Sequence, residues 1–114
     1  MNIVITWPRS RTLDDYLTEL RGAVLRGEVI NFRVPSKPKV YPGDRCYIVH
    51  DGAVRGWNEV IEVRERDEVR NVKTGGTWPH GIYIVRDPRW LWLPEPFPPM
   101  RGFQGWRYAR DLPT

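Results

Sequence analysis

Apolar and polar positions alternate in short blocks along most of this chain, and the block lengths are those of β-strands. Residues 1–7 contain the β-branched run Ile3-Val4-Ile5-Thr6, which Pro8 ends because proline cannot donate to a ladder. Residues 29–34 alternate Ile30, Phe32 and Val34 with Asn31 and Arg33, so the two polar residues share one strand face. Pro35 and Pro38 end that strand. Residues 45–50 predict another strand, Asp51-Gly52 a two-residue hairpin turn, and residues 53–63 the partner strand, bent at Gly56. Residues 81–85 give a further strand and residues 103–110 a closing one.

One segment has a different period. Leu13, Tyr16, Leu17, Leu20, Val24 and Leu25 recur at helical spacing, which predicts a single amphipathic helix over residues 13–26. Thr12 is placed to cap its start, Asp15 stands at the third position of a capping box, and Gly27 can stop it. Tyr41-Pro42-Gly43-Asp44 has the chemistry of a type II turn. Residues 64–78, mixed in charge and ending near Gly75-Gly76, read as a loop with room for a helical turn. Residues 87–99 place Pro88, Pro94, Pro96, Pro98 and Pro99 among Trp90, Trp92 and Phe97. That is too much proline for a regular helix or central strand and too aromatic to float in water, so an ordered, surface-hugging loop is expected. The order of elements predicts a small α+β domain, mostly β, curled into a barrel with one early helix. Residues 1–114 form it as a single domain.

Composition narrows the chemistry. With one cysteine, Cys46, the chain has no internal disulfide and no cysteine-based zinc cluster, and the apolar run Cys46-Tyr47-Ile48-Val49 marks the thiol as a buried small side chain. No metal site is expected from His50 and His80, which are far apart in sequence, and no cofactor motif stands out. Gly75-Gly76-Thr77 lacks the lysine and spacing of a phosphate loop. The start of the chain lacks a basic leader, and no apolar run is long enough to span a membrane, so a cytoplasmic protein with no membrane partner is expected. The formal net charge is +4, and fifteen arginines stand against three lysines. Arginine recognises phosphate with a planar, bidentate fork and stacks on rings and bases.

The six tryptophans are interleaved with that arginine. Arg9 and Arg11 follow Trp7, Arg89 precedes Trp90, and Arg101, Arg107 and Arg110 surround Phe103, Trp106 and Tyr108. Basic grooves with aromatic stacking platforms bind single-stranded nucleic acid, each stack contributing about 1–3 kcal/mol. A small barrel also gains from large aromatics in its core, so each tryptophan has a packing alternative. Asn31 can bond a base edge and Arg33 a phosphate. Ser36-Lys37-Pro38-Lys39 is a short stiff basic segment that could follow a backbone. Glu59 and Glu62 are the best-placed candidates for a general base, but neither has an evident partner, and paired surface charges are the commoner explanation.

Three segments resemble the PUA-like superfamily, and within it the ASCH type of domain. They are the first strand with Trp7-Pro8 and the helix after it; Arg26-Gly27-Glu28-Val29-Ile30-Asn31-Phe32-Arg33; and Tyr41-Pro42-Gly43-Asp44-Arg45-Cys46-Tyr47-Ile48-Val49 with the Asp51-Gly52 hairpin and the strand after it. The resemblance covers about residues 1–63. It implies a PUA-like pseudo-barrel that contacts nucleic acid or a modified base. Some ASCH proteins are small amidohydrolases acting on acetylated cytidine with a lysine, a threonine and a glutamate. In this chain Arg33 takes the arginine place of the motif, Asn31 falls where glutamate is usual, and Glu28 falls where lysine is usual. The resemblance therefore implies binding rather than that hydrolysis.

The resulting expectation is a non-catalytic module for RNA, single-stranded DNA or a modified base or nucleotide. Arg9, Ser10, Asn31, Arg33 and Lys37 would contact polar and phosphate groups, and Trp7, Trp57 and Trp106 would stack. Two alternatives stay open. One is a small amidohydrolase on a modified nucleoside, with Glu59 as base and Lys37 or Lys39 as the cation. The other is a protein-interaction domain using the Pro/Trp segment 87–99.

Overall fold

The computed structural model describes residues 1–66, 69–70, 77–78, 81–110 and 112. The elements are β1 (Ile3–Thr6), α1 (Leu13–Arg26), β2 (Ile30–Val34), β3 (Arg45–His50), β4 (Ala53–Arg66), β5 (Val69–Arg70), β6 (Thr77–Trp78), β7 (Gly81–Arg86), β8 (Leu91–Trp92) and β9 (Trp106–Tyr108). The protein is mostly β with one helix, and its main sheet curls into a half-barrel. The sheet runs β2-β7-β4-β3-β1-β9, with β8 added on β4; β5 and β6 pair separately.

Local chemistry makes most of these elements. The Thr12 hydroxyl accepts from the Asp15 N–H at 3.1 Å and the Asp15 carboxylate accepts from the Thr12 N–H at 3.3 Å, closing the expected capping box. Gly27 ends α1 in the left-handed region at φ 64°, and the Glu28 N–H reaches back to the Ala23 carbonyl at 2.9 Å. Between β3 and β4 the turn carries positive φ at both Asp51 (48°) and Gly52 (78°), which matches the twist of the hairpin.

The curl comes from β4, whose 14 residues serve two parts of the sheet. Its first half pairs with β3 and β8, its second half with β7. Register slips against β3 around Arg55 and against β7 around Ile61, and such bulges bend and twist a strand. Gly56 sits at the first bend. A Cβ there would lie 2.3 Å from the Leu91 carbonyl oxygen and 2.5 Å from the Trp90 ring, so only glycine lets β8 approach.

The concave face receives α1. Tyr16, Leu20 and Ala23 are the buried residues of the helix. Tyr16 and Leu20 pack with Ile3, Ile5, Cys46, Ile48, Val60 and Ile84 in the main core. On the opposite face Val4, Tyr47, Val49, Val54 and Leu93 form a second core under Phe97, Met100 and Phe103. β2 and β9, the two ends of the sheet, do not pair. The Trp106 indole N–H donates to the Ser36 carbonyl at 3.0 Å, and the Lys39 N–H donates to the Tyr108 hydroxyl at 3.1 Å, tying β9 to the segment after β2.

Three expectations change. β4 continues to Arg66, and residues 69–70 and 77–78 form a two-stranded ladder where a loop was expected; Gly75-Gly76 lie outside the described residues. The segment 87–99 hugs the surface as expected, yet Leu91–Trp92 within it joins the sheet. The closing strand is shorter than expected, at Trp106–Tyr108. No described helix is long and apolar enough to cross a membrane.

Candidate functional site

Between α1 and the concave face lies a cavity of about 400 Å³, in the size range of small-molecule pockets. Ile5, Thr6, Trp7 and Pro8 line it from the end of β1, Tyr16, Glu19 and Leu20 from α1, Ile30, Asn31 and Phe32 from β2, Ile48 from β3 and Arg86 from the end of β7. Most of this lining is apolar or aromatic, and the polar groups are few.

Trp7 and Tyr16 form its aromatic corner, with ring centroids 4.7 Å apart and tilted by 53°. The Trp7 indole N–H donates to the Thr12 carbonyl at 3.0 Å, and its backbone N–H to the Val49 carbonyl at 2.9 Å, so the ring is held at both ends of the β1–α1 loop. Arg11 lies over the Trp7 ring at 4.6 Å and pairs with Glu19 at 2.7 Å. Trp90 meets the far edge of Tyr16 at 5.7 Å.

Beneath the corner is a buried polar network. Arg86 is 4 % exposed and Asn58 fully buried. Arg86 Nη1 donates to the Tyr16 hydroxyl at 2.8 Å and to Asn58 Oδ1 at 3.3 Å, and the Tyr16 hydroxyl donates to Asn58 Oδ1 at 2.8 Å. Asn58 Nδ2 donates to the Arg89 carbonyl at 2.9 Å, fixing the amide. Among the described residues no carboxylate pairs with Arg86; its close neighbours are Tyr16 and Cys46. Burial pushes the Cys46 thiol up to about 11, with Arg86 pulling the other way, so the thiol stays protonated at neutral pH. Burial likewise raises the Tyr16 hydroxyl against the opposing pull of Arg86, so it remains a neutral donor and acceptor.

Two polar atoms of the cavity-lining residues are buried without a hydrogen-bond partner: Arg86 Nε, a donor, and Asn31 Oδ1, an acceptor. Leaving such a group unpaired costs about 1–3 kcal/mol, more when charged. The cavity is thus lined by a buried cation without a carboxylate partner among the described residues and by an asparagine whose Oδ1 is unpaired, beside an aromatic wall.

The expected site residues divide. Trp7 and Asn31 reach the cavity. Arg9 and Ser10 sit in the exposed β1–α1 loop beside its Trp7-Pro8 wall, where Arg9 pairs with Asp51 at 3.3 Å. Arg33 is exposed and lies in a separate depression with Pro35 and Gly81, so the two polar residues of β2 serve different places. Trp57 belongs to the opposite face, with Arg45 4.2 Å above its ring. Trp106 packs against the main core and is pinned by its bond to Ser36. Lys37 is exposed after β2, and Glu59 is exposed on the strand face that alternates with Asn58. Neither lines the cavity. His50 bonds the Arg11 carbonyl through Nε2 at 2.8 Å; His80 lies outside the described residues.

Sequence reasoning missed Tyr16, Asn58 and Arg86 as site residues. Their signals were present but weak: a tyrosine on the apolar helix face, an asparagine inside a hydrophobic strand, and an arginine immediately after the run Ile82-Tyr83-Ile84-Val85. A second groove, of about 620 Å³, runs between α1 and β8 and is lined by Leu17, Val24, Leu25, Trp90 and Trp92, with Trp92 53 % exposed. Comparison of the chain with protein-family models, with curated proteins and with solved structures finds no match.

Proposed function

We propose that the cavity under α1 binds a single nucleobase or nucleotide, free or turned out of an RNA or single-stranded DNA. The observation that carries this reading is Arg86: a buried guanidinium without a carboxylate among the described residues, lining a cavity together with Asn31, whose Oδ1 has no hydrogen-bond partner. A base edge presents donors beside acceptors, which fits one unpartnered acceptor and one unpartnered donor. Its flat ring suits the Trp7–Tyr16–Phe32 walls, since turned-out bases are held between aromatic and apolar side chains. Arg9 at the mouth could trade its exposed ion pair for a phosphate at little cost, because such pairs contribute at most about 1 kcal/mol. The resemblance of residues 1–63 to PUA-like and ASCH-type domains supports the same class of ligand. On this reading the protein binds its ligand without transforming it.

The test is a titration of tryptophan fluorescence with nucleosides, nucleotides and short single strands. At least one base-bearing probe should bind, and Asn31→Ala should weaken it about tenfold or more, the effect of losing one buried hydrogen bond. Failure of every base-bearing probe, or an affinity indifferent to Asn31, would reject the proposal.

A further inference from the structure

Eight of the fifteen arginines form two contrasting sets. Arg9, Arg11, Arg26, Arg64 and Arg89 each pair with a nearby carboxylate. Arg45, Arg55 and Arg107 pair with none among the described residues, and each guanidinium carbon lies over an aromatic ring: Arg45 at 4.2 Å from Trp57, Arg55 at 5.2 Å from Phe97 and Arg107 at 4.3 Å from Phe103. Among the described residues Arg45 also donates to the Tyr47 hydroxyl, and Arg55 to the backbone carbonyls of His50 and Asp51.

Strand register and ring packing put all three on one face. Arg107 opposes Val4, Val4 opposes Tyr47, and Tyr47 opposes Trp57, so these four form a row across β9, β1, β3 and β4. Arg45 stands two residues from Tyr47, on the same side of β3, and Arg55, at the β4 bulge, lies over Phe97, which packs on the second core. With strands about 4.8 Å apart, the row spans about 14 Å. This is the convex face, behind the cavity, where the second core lies. Glu59 faces Arg45 across the ladder without forming an ion pair, and Asp51 is engaged by Arg9.

We propose that this convex face is a second binding site, for the backbone of a single-stranded nucleic acid. A guanidinium over a ring keeps its charge and is held in place by the ring beneath it, and its N–H groups that are not already engaged remain for phosphate. Three such groups, without an ion pair among the described residues and set around the side chains that cover the second core, fit a polyanion with flat substituents better than a compact ligand. The site is independent of the cavity reading.

Anisotropy of a short fluorescent single-stranded RNA of mixed sequence tests it across a salt series. Binding should weaken as salt rises, and the triple variant Arg45→Gln/Arg55→Gln/Arg107→Gln should flatten the log–log slope by about 2, at about 0.7 per lost phosphate contact. Circular dichroism and nucleoside binding by the triple variant report whether it remains folded, and each single variant should flatten the slope in proportion. Unchanged affinity and slope in the folded triple variant would overturn the site. Equal competition by polyglutamate would also overturn it, because the face would then read charge alone. Strand binding that survives Asn31→Ala, in a protein that binds no nucleoside, would reject the cavity reading and leave this one standing.

Discussion

Arg86 brings a positive charge into a core whose described residues offer it a phenol, an amide and a thiol. An arginine kept for stability usually has a carboxylate, since removing one partner of a buried pair costs several kcal/mol while replacing the pair by apolar groups can be neutral. The arrangement here predicts that Arg86→Met keeps stability within about 1 kcal/mol of the parent, or raises it, while removing ligand binding, as expected of a group retained for function. The Tyr16–Asn58 bond at 2.8 Å survives in that variant and keeps the helix anchored. Urea denaturation and nucleoside titration measured side by side decide the matter. A loss of 3 kcal/mol or so with binding intact would make Arg86 a structural residue.

At the scale of elements, the cavity depends on where β4 bends. The bulge near Gly56 lets β8 cross close to the strand and sets Trp90 against Tyr16 at 5.7 Å, closing one side of the polar network. Gly56→Ala should displace β8 and its neighbouring tryptophan. Overpacking of this kind costs about 1–3 kcal/mol, and the near-ultraviolet dichroism of the Trp90–Trp92 pair, whose ring centroids are 5.4 Å apart, should change with it. A variant with unaltered stability and dichroism would mean that β8 does not need the close approach. The helix, by contrast, is defended locally: its capping box and glycine stop act before any tertiary contact forms.

For the whole molecule, a ligand that fills the cavity bridges α1 to β1, β2 and β7 at once, so binding couples to global unfolding. A ligand at a hundredfold excess over its Kd should add about 2.7 kcal/mol of stability, on the order of 10 °C in Tm for a chain of this size. Thermal denaturation with and without the nucleoside that binds best measures this, and Arg86→Met should abolish the shift. A bound nucleoside that leaves Tm unchanged would have to sit elsewhere. The sequence by itself determined what neighbouring residues decide among themselves. The helix over residues 13–26 with its caps, the Asp51-Gly52 hairpin, the bend at Gly56 and the burial of Cys46 all rest on period, turn chemistry or a short apolar run. Only the tertiary structure decided which face of the sheet each aromatic serves. Trp7 and Trp57 look alike in sequence, yet one borders the cavity and the other the convex face, because strand register and the position of α1 choose the side. The cavity's cation came from Arg86, which meets Tyr16 and Asn58 from 70 and 28 residues away. Contacts so distant in sequence leave no periodic signal, since they arise only when the curl of β4 carries β7 under the helix.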